Sequence, residues 1–296
     1  MESRDMNRGR WMLLFLLVML YSVRGQAQQR YPASGLVLSV DRSRQTMLVS
    51  CQEIRGFMDS MVMSFRVPDA KALDPLTRGA LIEFTLVVNK GSSYAENVRV
   101  RGYDSAEREP SKARRLQGFE EALRRPVHRL AVGQAVPDFT LTDQQKRATH
   151  FRQFAGKVVA LNFVYTRCAL PEYCYRSSNN FGVLQKQFQE RLGKDLVLLT
   201  VTFDPVHDQP ETLRNYAKTW KADVENWRFL TGTAPDVQRV CDLFGVNFVP
   251  DEGLFVHSLH TVIIGRDGKL VADLEGNEFT AQQFADLLKT VLDPAK

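Results

Sequence analysis

The fold of the second half of the chain is decided by the stretch KVVALNFVYTRCALPEYC, residues Lys157–Cys174. Its first part, from Val158 to Val164, is a near-continuous apolar run, which is typical of a strand covered on both faces of its sheet. Cys168 and Cys174 follow at the exit of that strand, and Pro171 between them is a residue able to begin a helix. Two cysteines in this position indicate a soft-metal site or a redox site.

Strands and helices alternate around this stretch from residue 131 to the end of the chain. The apolar patterns predict strands at 196–203, 227–230, 259–264 and 270–274, and helices at 171–189, 211–220, 235–244 and 281–292. Arg266-Asp267-Gly268 predicts a tight hairpin turn between the last two strands. Alternating elements that end in a hairpin and a helix predict an α/β domain with a mixed sheet, in the order of a thioredoxin-like fold.

Residues 33–103 have the pattern of a separate, all-β domain. Short strands are predicted at 35–40, 46–49, 82–88 and 94–100, and this spacing favours a small, OB-like β-barrel. The charged segment 104–130 reads as a solvated linker with breaks at Pro110 and Pro126, although a short amphipathic helix at 113–123 is the alternative.

Composition and charge exclude some classes of function. A length of 296 residues allows two domains, and 44% hydrophobic with 25% charged residues is ordinary globular composition. The net charge of +5 is spread along the chain without a dense basic block, so nucleic acid is not an expected partner.

The N-terminus predicts export. Three arginines precede an apolar run at 11–23, and small residues follow it at Gly25 and Ala27. Because 13 apolar residues are too few to span a bilayer comfortably, residues 1–27 favour a signal peptide, with an uncleaved membrane anchor as the rival. The protein is therefore expected in the periplasm or at the outer face of the inner membrane.

The chain has four cysteines, and an even number in an exported protein is compatible with two structural disulfides. A chain of this length does not need such staples. Cys241 lies on a helical apolar stripe and is expected to be buried. Cys168 in a loop and Cys174 in a first helical turn can converge, and the helix N-terminus together with Arg167 would favour a thiolate.

A histidine ligand would separate a metal site from a redox pair. His128 and His150 lie in polar surroundings and are expected at the surface. His207 follows a predicted strand, where sites of α/β proteins gather, while His257 and His260 flank the strand of the hairpin. Spacing alone leaves these last three open.

A second group of sulfur-bearing residues lies in the β domain. Cys51, Met58, Met61 and Met63 fall within 13 residues, and Met61 and Met63 share one face of a strand. Thiolate and thioether ligands select Cu(I), whereas methionines also commonly fill cores. The spacing supports both interpretations equally.

Part of this region resembles the CusF-like periplasmic copper-binding domains. The matching pieces are Gly35-Leu36-Val37, Cys51-Gln52-Glu53-Ile54 and the run from Gly56 to Phe65. The resemblance implies a five-stranded barrel in which Met61 and Met63 form the Met-x-Met pair of Cu(I) ligands. Met58 falls near the aromatic position of the family, and Cys51 stands where the family has histidine.

The second domain resembles the Sco/SenC copper-binding proteins. The matching pieces are Phe163–Cys168 with Cys174, Thr202–Pro205 with Asp208-Gln209-Pro210, Leu230-Thr231-Gly232, and His257-Ser258 with Ile264–Gly268. The resemblance implies one copper ion held by Cys168, Cys174 and His257. Five residues separate the two cysteines here, where the family has three, and Val256 replaces the aspartate that usually precedes the histidine.

Two functions follow as expectations. The first is a copper chaperone, not an enzyme, that delivers Cu(I) or Cu(II) to a cuproprotein such as subunit II of cytochrome c oxidase, with its Cu-A centre, and that needs a thiol reductant as a partner. The second is a thiol–disulfide oxidoreductase or peroxidase in which Cys168 and Cys174 are the redox pair. Zinc could also accept two cysteines and a histidine, but would lack a fourth ligand.

Overall fold

The computed structural model describes residues 28–89, 92–102, 129–168, 171–251 and 253–294. The predicted signal peptide, almost all of the predicted linker and His128 lie outside the described residues. Within those ranges, no helix combines the length and the apolar character that crossing a membrane requires.

The first five strands form a closed barrel in the order β1-β2-β3-β5-β4. Their bounds are β1 (Gln29–Asp41), β2 (Thr46–Cys51), β3 (Met61–Arg66), β4 (Leu81–Asn89) and β5 (Ser92–Val100). The long β1 pairs with both β2 and β4, and a bulge between Val37 and Ser39 bends it. Met47, Phe65 and Phe84 fill the barrel interior.

Gly35 allows β1 and β2 to approach closely beside Cys51. The two residues are register partners. A Cβ atom at position 35 would lie 2.5 Å from Val49 Cγ1 and 2.7 Å from the carbonyl oxygen of Ser50. Only glycine fits this strand pairing without a shift of the backbone.

The second sheet has seven strands in the order β14-β13-β8-β9-β10-β6-β7. Their bounds are β6 (Thr140–Asp143), β7 (Ala148–His150), β8 (Val158–Val164), β9 (Leu196–Thr202), β10 (Trp227–Thr231), β13 (His260–Ile264) and β14 (Leu270–Glu275). The three central strands β8, β9 and β10 are parallel, and β13 is antiparallel to β8. This mixed sheet confirms the predicted thioredoxin-like architecture.

Four α-helices cover the two faces of this sheet: α1 (Arg176–Gln187), α2 (Pro210–Thr219), α3 (Ala234–Leu243) and α4 (Ala281–Leu292). Helix α3 packs into one core cluster, and α1, α2 and α4 pack into the other. Local signals explain the helix starts: Pro210 begins α2, Thr233 caps α3, and Thr280 with Gln283 forms a capping box at α4.

The chain differs from the sequence-based prediction at the turn after Cys168 and in the segment that leads to His257. The predicted helix starting at residue 171 is a wide turn at Pro171–Tyr175, because Tyr173 has non-helical dihedral angles (φ −105°, ψ −109°), and regular helix begins only at Arg176. The sequence reasoning also missed the hairpin of β11 (Phe248–Asp251) and β12 (Leu254–His257), which pair antiparallel.

The barrel and the thioredoxin-like part share one core. Leu36 and Leu38 in β1 have 0% and 1% exposure, and they belong to the same cluster as Leu274 in β14 and Phe284 in α4. The barrel is therefore packed directly onto the second sheet and its last helix.

Candidate metal centre

Cys168, Cys174 and His257 converge at the edge of the second sheet. One ligand atom from each residue lies within 4.8 Å of the other two. Cys174 is buried, whereas Cys168 and His257 are partly exposed. In the described part of the chain this is the one group of three or more histidine, cysteine or carboxylate side chains with such geometry. The three side chains could therefore hold one metal ion.

The exit of β8 is anchored by a buried carboxylate. Asp208, with 0% exposure, accepts hydrogen bonds from the backbone N–H of Thr166 at 3.0 Å and from the hydroxyls of Thr166 and Thr202. Burial raises the pKa of Asp208, although these hydrogen bonds oppose that shift. The chain is thus fixed two residues before Cys168.

The wide turn brings Cys174 back to Cys168. The backbone N–H of Cys168 donates to the Tyr165 carbonyl at 3.3 Å, which closes a turn at the end of β8. At the far end of the loop, Cys174 is only 1% exposed and packs into the core cluster that also contains Tyr165. The five intervening residues therefore lengthen the loop without separating the two sulfur atoms.

His257 ends β12 with its ring orientation fixed. The Nδ1 atom lies 2.9 Å from the Ser258 carbonyl oxygen, which can only accept, so Nδ1 carries the proton and donates it. Nε2 is then the atom available to a metal, an arrangement that is usual for histidine ligands.

Aromatic rings surround the imidazole of His257. Its centroid lies 4.8 Å from that of Phe203, 5.7 Å from that of Tyr165 and 6.1 Å from that of Tyr173. The two tyrosine rings are nearly perpendicular to it. This setting restricts the rotation of the ring and limits the access of water to the group.

The surroundings of Cys174 oppose a thiolate in the metal-free protein. Its pKa lies well above the ordinary value, first because its thiol hydrogen-bonds to the sulfur of Cys168 and then because it is buried. The pKa of Tyr165 is also raised, first by burial and then by the neighbouring Cys168, to which the tyrosine hydroxyl hydrogen-bonds. Metal binding must therefore displace the proton from Cys174.

The guanidinium of Arg167, which was expected to favour a thiolate, is engaged by a buried carboxylate and a carbonyl oxygen. It binds the carboxylate of Asp204 at 2.8 Å and donates to the Gly253 carbonyl at 2.9 Å. Although burial opposes ionisation, hydrogen bonds from His207 and Arg167 hold the pKa of Asp204 below its usual value. Arg167 instead ties the loop after β9 to the β11–β12 hairpin.

The other described histidines lie outside the group. His207 directs Nδ1 to Asp204 at 2.8 Å, and His150 bonds to Thr140 at 2.9 Å. His260 is buried and lies 3.0 Å from Asp273. Of the three histidines that spacing left open, the structure places only His257 with the cysteines.

None of the four cysteines forms a disulfide in this structure, so the alternative of two structural disulfides is not realised. Cys241 has 0% exposure in α3, as predicted, and burial raises the pKa of its thiol. Its position deep in the core fits packing alone.

The sulfur-bearing residues of the barrel are partly brought together. Cys51 in β2 lies directly opposite Met61 in β3, and Met63 is opposite Val49, the next inward-facing residue of β2. Met58, which forms an isolated β-bridge with Ile54, is partly buried against the barrel core. Cys51 is buried, which raises the pKa of its thiol to about 12, whereas Met61 is half exposed. Cross-strand partners on one face are near enough for side-chain contact.

Some supporting residues escaped the sequence reasoning. Tyr165, Phe203 and Asp208 all lie in the motifs that resemble the Sco/SenC proteins. No role beside the metal centre was predicted for them. Aromatic residues at strand ends are common in cores, so their pattern carries no separate signal for a metal site.

A sequence profile of the SCO1/SenC family matches residues 129–293. This match spans more than half of the chain and includes Cys168, Cys174 and His257. It also includes the complete seven-stranded sheet and the helices that cover it.

Individual relatives match the same half of the chain. The SCO1 protein homolog of Bacillus subtilis is 26% identical over 149 residues, which are 49% of this chain and 76% of that protein. Protein SCO1, mitochondrial, of Saccharomyces cerevisiae is 25% identical over 146 residues, which are 47% of this chain and 48% of that protein. The crystal structure of yeast Sco1 with copper bound is 23% identical, with a TM-score of 0.47, and covers 54% of this chain and 89% of that chain.

Proposed function

The chain belongs to the SCO1/SenC family, and we propose that it is an exported copper chaperone that holds copper through Cys168, Cys174 and His257. The observation that carries this proposal is the convergence of two sulfur atoms and one imidazole nitrogen within 4.8 Å. Copper is the cargo of such a protein.

The donor set suits copper better than other metals. Two thiolates and an imidazole suit Cu(I), and they can hold Cu(II) after some rearrangement. Zinc would require a fourth ligand for its usual tetrahedral site, and no further cysteine, histidine or carboxylate joins the group among the described residues. The aromatic surroundings favour a soft ion of low charge over a hydrated one.

The partial exposure of two ligands favours transfer of the ion. Cys168 and His257 are accessible while Cys174 is buried, so an acceptor can replace the two exposed ligands first. The Cu-A centre of cytochrome c oxidase subunit II is the acceptor we propose, because the resemblance to the Sco/SenC copper-binding proteins implies delivery of copper to that centre.

The test is a transfer experiment with the full chain. Copper-loaded protein is mixed with the reduced, metal-free Cu-A domain of subunit II, a mild one-electron oxidant is then added, and the absorption of the Cu-A centre is followed. We expect the absorption to develop with the wild-type chain and not with Cys168→Ser/Cys174→Ser. Copper that remains on the wild-type chain with a competent acceptor would contradict delivery.

A thiol–disulfide oxidoreductase is the second candidate, favoured by the hydrogen bond between the side chains of Cys168 and Cys174, which form no disulfide. Closure of a disulfide would release two electrons and two protons to an oxidant and would remove both sulfur ligands, so copper loading needs a thiol reductant as a partner. Reductase turnover above that of free thiols, retained in His257→Ala, would support this activity. Turnover no faster than free thiols would exclude it.

The barrel is proposed as a CusF-like, OB-like domain with its own Cu(I) site at Cys51, Met58, Met61 and Met63. The direct pairing of Cys51 with Met61 across β2 and β3 supports this assignment. X-ray absorption of Cu(I)-loaded Cys168→Ser/Cys174→Ser should show sulfur ligation only. Nitrogen or oxygen ligation, or no copper, would contradict the site.

Export and domain limits complete the proposal. Residues 1–27 are assigned as a signal peptide or membrane anchor, 33–103 as the barrel, 104–130 as the linker and 131–296 as the thioredoxin-like domain. Such a protein would act in the periplasm or at the outer face of the inner membrane. Mass spectrometry of the protein recovered from a periplasmic extract would show a mature N-terminus near residue 28 if the segment is cleaved.

A further inference from the structure

The end of β2 that carries Cys51 is held by the helix α4 of the other half of the chain. The hydroxyl of Ser50, the residue before Cys51, donates to Asp286 Oδ2 at 2.8 Å, and Gln283 Nε2 donates to the Ser50 carbonyl at 3.1 Å. Both hydrogen bonds are buried. Hydrogen bonds in such surroundings fix geometry strongly, because their loss leaves polar groups unpaired.

A cleft of about 410 Å³ lies between the barrel and α4, beside these two hydrogen bonds. Its barrel wall and its α4 wall are lined, in part, by Cys51, Met61, Gln283 and Asp286. The exposed side of Met61 therefore faces a space bounded by both halves of the chain. A soft ion that reaches Cys51 and Met61 from this cleft would pass along α4.

Further contacts make this junction firm. Arg101, just beyond β5, pairs with Glu278 at 3.3 Å, in the turn that leads into α4. In the same turn, the side chain of Asn277 donates to the carbonyl oxygen of Glu172, two residues before Cys174. One short segment, from 277 to 286, thus contacts the chain beside both sulfur-rich groups.

We infer that the Cys51 site is built across the junction of the two parts, with Gln283 and Asp286 of α4 as positioning residues for Cys51. This inference rests on the proposed Cu(I) site of the barrel and names the residues that hold its cysteine. The ligand class is a soft monovalent cation. It follows that the barrel binds Cu(I) weakly when these side chains are removed, although they are not ligands themselves.

The experiment uses the full chain with Cys168→Ser/Cys174→Ser as the parent, so that Cys51 and the deeply buried Cys241 are the two cysteines that remain. Gln283→Ala/Asp286→Ala is compared with Asp286→Asn, whose amide oxygen can still accept from Ser50. The matched control is Asp242→Ala in α3, the helix that packs into the other core cluster, where Asp242 accepts a hydrogen bond from Gln238 one turn away at 2.7 Å.

Two properties are measured: Cu(I) affinity by competition with a chelator, and the rate at which a small alkylating reagent modifies Cys51 in the metal-free protein. We expect the double variant to lose about tenfold in affinity, the lower end of the effect of removing partners behind metal ligands. We expect its alkylation to accelerate by a similar factor, while Asp286→Asn and Asp242→Ala remain close to the parent.

The two measurements fail independently. If the parent binds no Cu(I), the proposed copper site of the barrel is wrong, and the alkylation rates still decide whether α4 positions Cys51. If the double variant keeps the parent's alkylation rate and affinity, or if Asp286→Asn and Asp242→Ala change them equally, the inference is overturned.

Discussion

His257 and His207 both have a fixed ring, but only one of them is close to the two cysteines. Both rings use Nδ1 for a hydrogen bond, His257 to a carbonyl oxygen and His207 to the carboxylate of Asp204. Only the ring of His257 has a ligand atom within 4.8 Å of those of the two cysteines. The neighbouring guanidinium of Arg167, at 3.1 Å from His207 Nδ1, makes the His207 ring a poor place for a cation.

Replacing His257 with alanine should weaken the Cys168–Cys174 centre, because one of three ligands is lost. We expect Cu(I) affinity at this centre to fall by at least about tenfold, the lower end of the cost of perturbing a metal site. Chelator competition with Cys51→Ser as the background gives the measurement. His207→Ala is the matched control and should leave the affinity unchanged; an equal loss in both variants would mean that His257 is not a ligand.

The buried thiol of Cys51 predicts a pH dependence of stability. Burial raises its folded pKa from 9.0 to about 12, so the stability it contributes is complete below pH 9 and is lost as the pH rises toward 12. The loss should approach about 1.4 kcal/mol per pH unit above this threshold. Urea unfolding of reduced, metal-free protein between about pH 8 and pH 10.5 measures it.

Cys51→Ala is the comparison for this effect. The substitution leaves a small cavity whose cost does not depend on pH, so its stability curve should be displaced but flatter in alkali than that of the wild type. Parallel curves for the two proteins would contradict the raised pKa of Cys51.

At the scale of elements, the β11–β12 hairpin is the piece that delivers His257. Arg167 joins this hairpin, through the Gly253 carbonyl, to Asp204 at the end of β9. Arg167 also immediately precedes Cys168. The guanidinium of Arg167 therefore fixes the loop that carries Cys168 relative to β12, the strand that ends at His257.

Arg167→Ala should leave the buried carboxylate of Asp204 without its main cation and should free the hairpin. We expect about 1–3 kcal/mol lower stability and about tenfold weaker Cu(I) binding at the centre. Arg167→Lys should recover only part of both, since an ammonium group cannot reproduce the planar fork that binds two partners.

Thermal unfolding and chelator competition together measure these effects. Arg239→Ala is the control, because that guanidinium also pairs with an aspartate, Asp236, but is 67% exposed and remote from the hairpin. If Arg167→Ala keeps the Cu(I) affinity of the wild type, the position of His257 does not depend on the contacts of Arg167 with Asp204 and Gly253.

Five of the seven strands of the second sheet were predicted from the sequence, whereas β6, β7 and the separate β11–β12 hairpin were not. The apolar runs of β8 and β9 are long and fully buried, so their pattern is plain. The wide turn at Pro171–Tyr175 was predicted as regular helix, because the sequence pattern carries no local signal for the non-helical dihedral angles of Tyr173. The hairpin of β11 and β12 is short, and its strands carry Pro250 and Asp251, which are weak strand formers.

At the scale of the whole molecule, the barrel and the thioredoxin-like part form one packed unit among the described residues. A contact of this kind joins residues more than 200 positions apart, such as Ser50 and Asp286, so no local pattern predicts it. One signal was present in β1, where Leu36, Val37 and Leu38 are consecutive and apolar. A strand buried on both faces has this pattern.

The shared core predicts that a substitution in the barrel destabilises the other half. Leu38→Ala should cost about 2–5 kcal/mol, as is usual for large-to-small changes in a core. All described tryptophans, Trp220 and Trp227, lie in the thioredoxin-like part, so their fluorescence reports its unfolding. We expect the urea midpoint by fluorescence to fall in Leu38→Ala.

Leu86→Ala provides the comparison, because Leu86 is buried in the interior of the barrel and not in the shared cluster. If the two parts unfold separately, neither substitution will move the fluorescence transition. If the urea midpoint by fluorescence falls further in Leu38→Ala than in Leu86→Ala, the barrel stabilises the thioredoxin-like part through the core that the two parts share.

Two sulfur-rich copper sites are proposed for this chain, and one of them consists of Cys168, Cys174 and His257. The most direct measurement is an anaerobic Cu(I) titration of the reduced full chain against a competing chelator, with wild type and Cys168→Ser/Cys174→Ser in parallel. We predict two tight equivalents for the wild type and the loss of one of them in the variant. Absence of tight copper binding by the wild type would contradict the account and would leave the disulfide chemistry of Cys168 and Cys174 as the function to pursue.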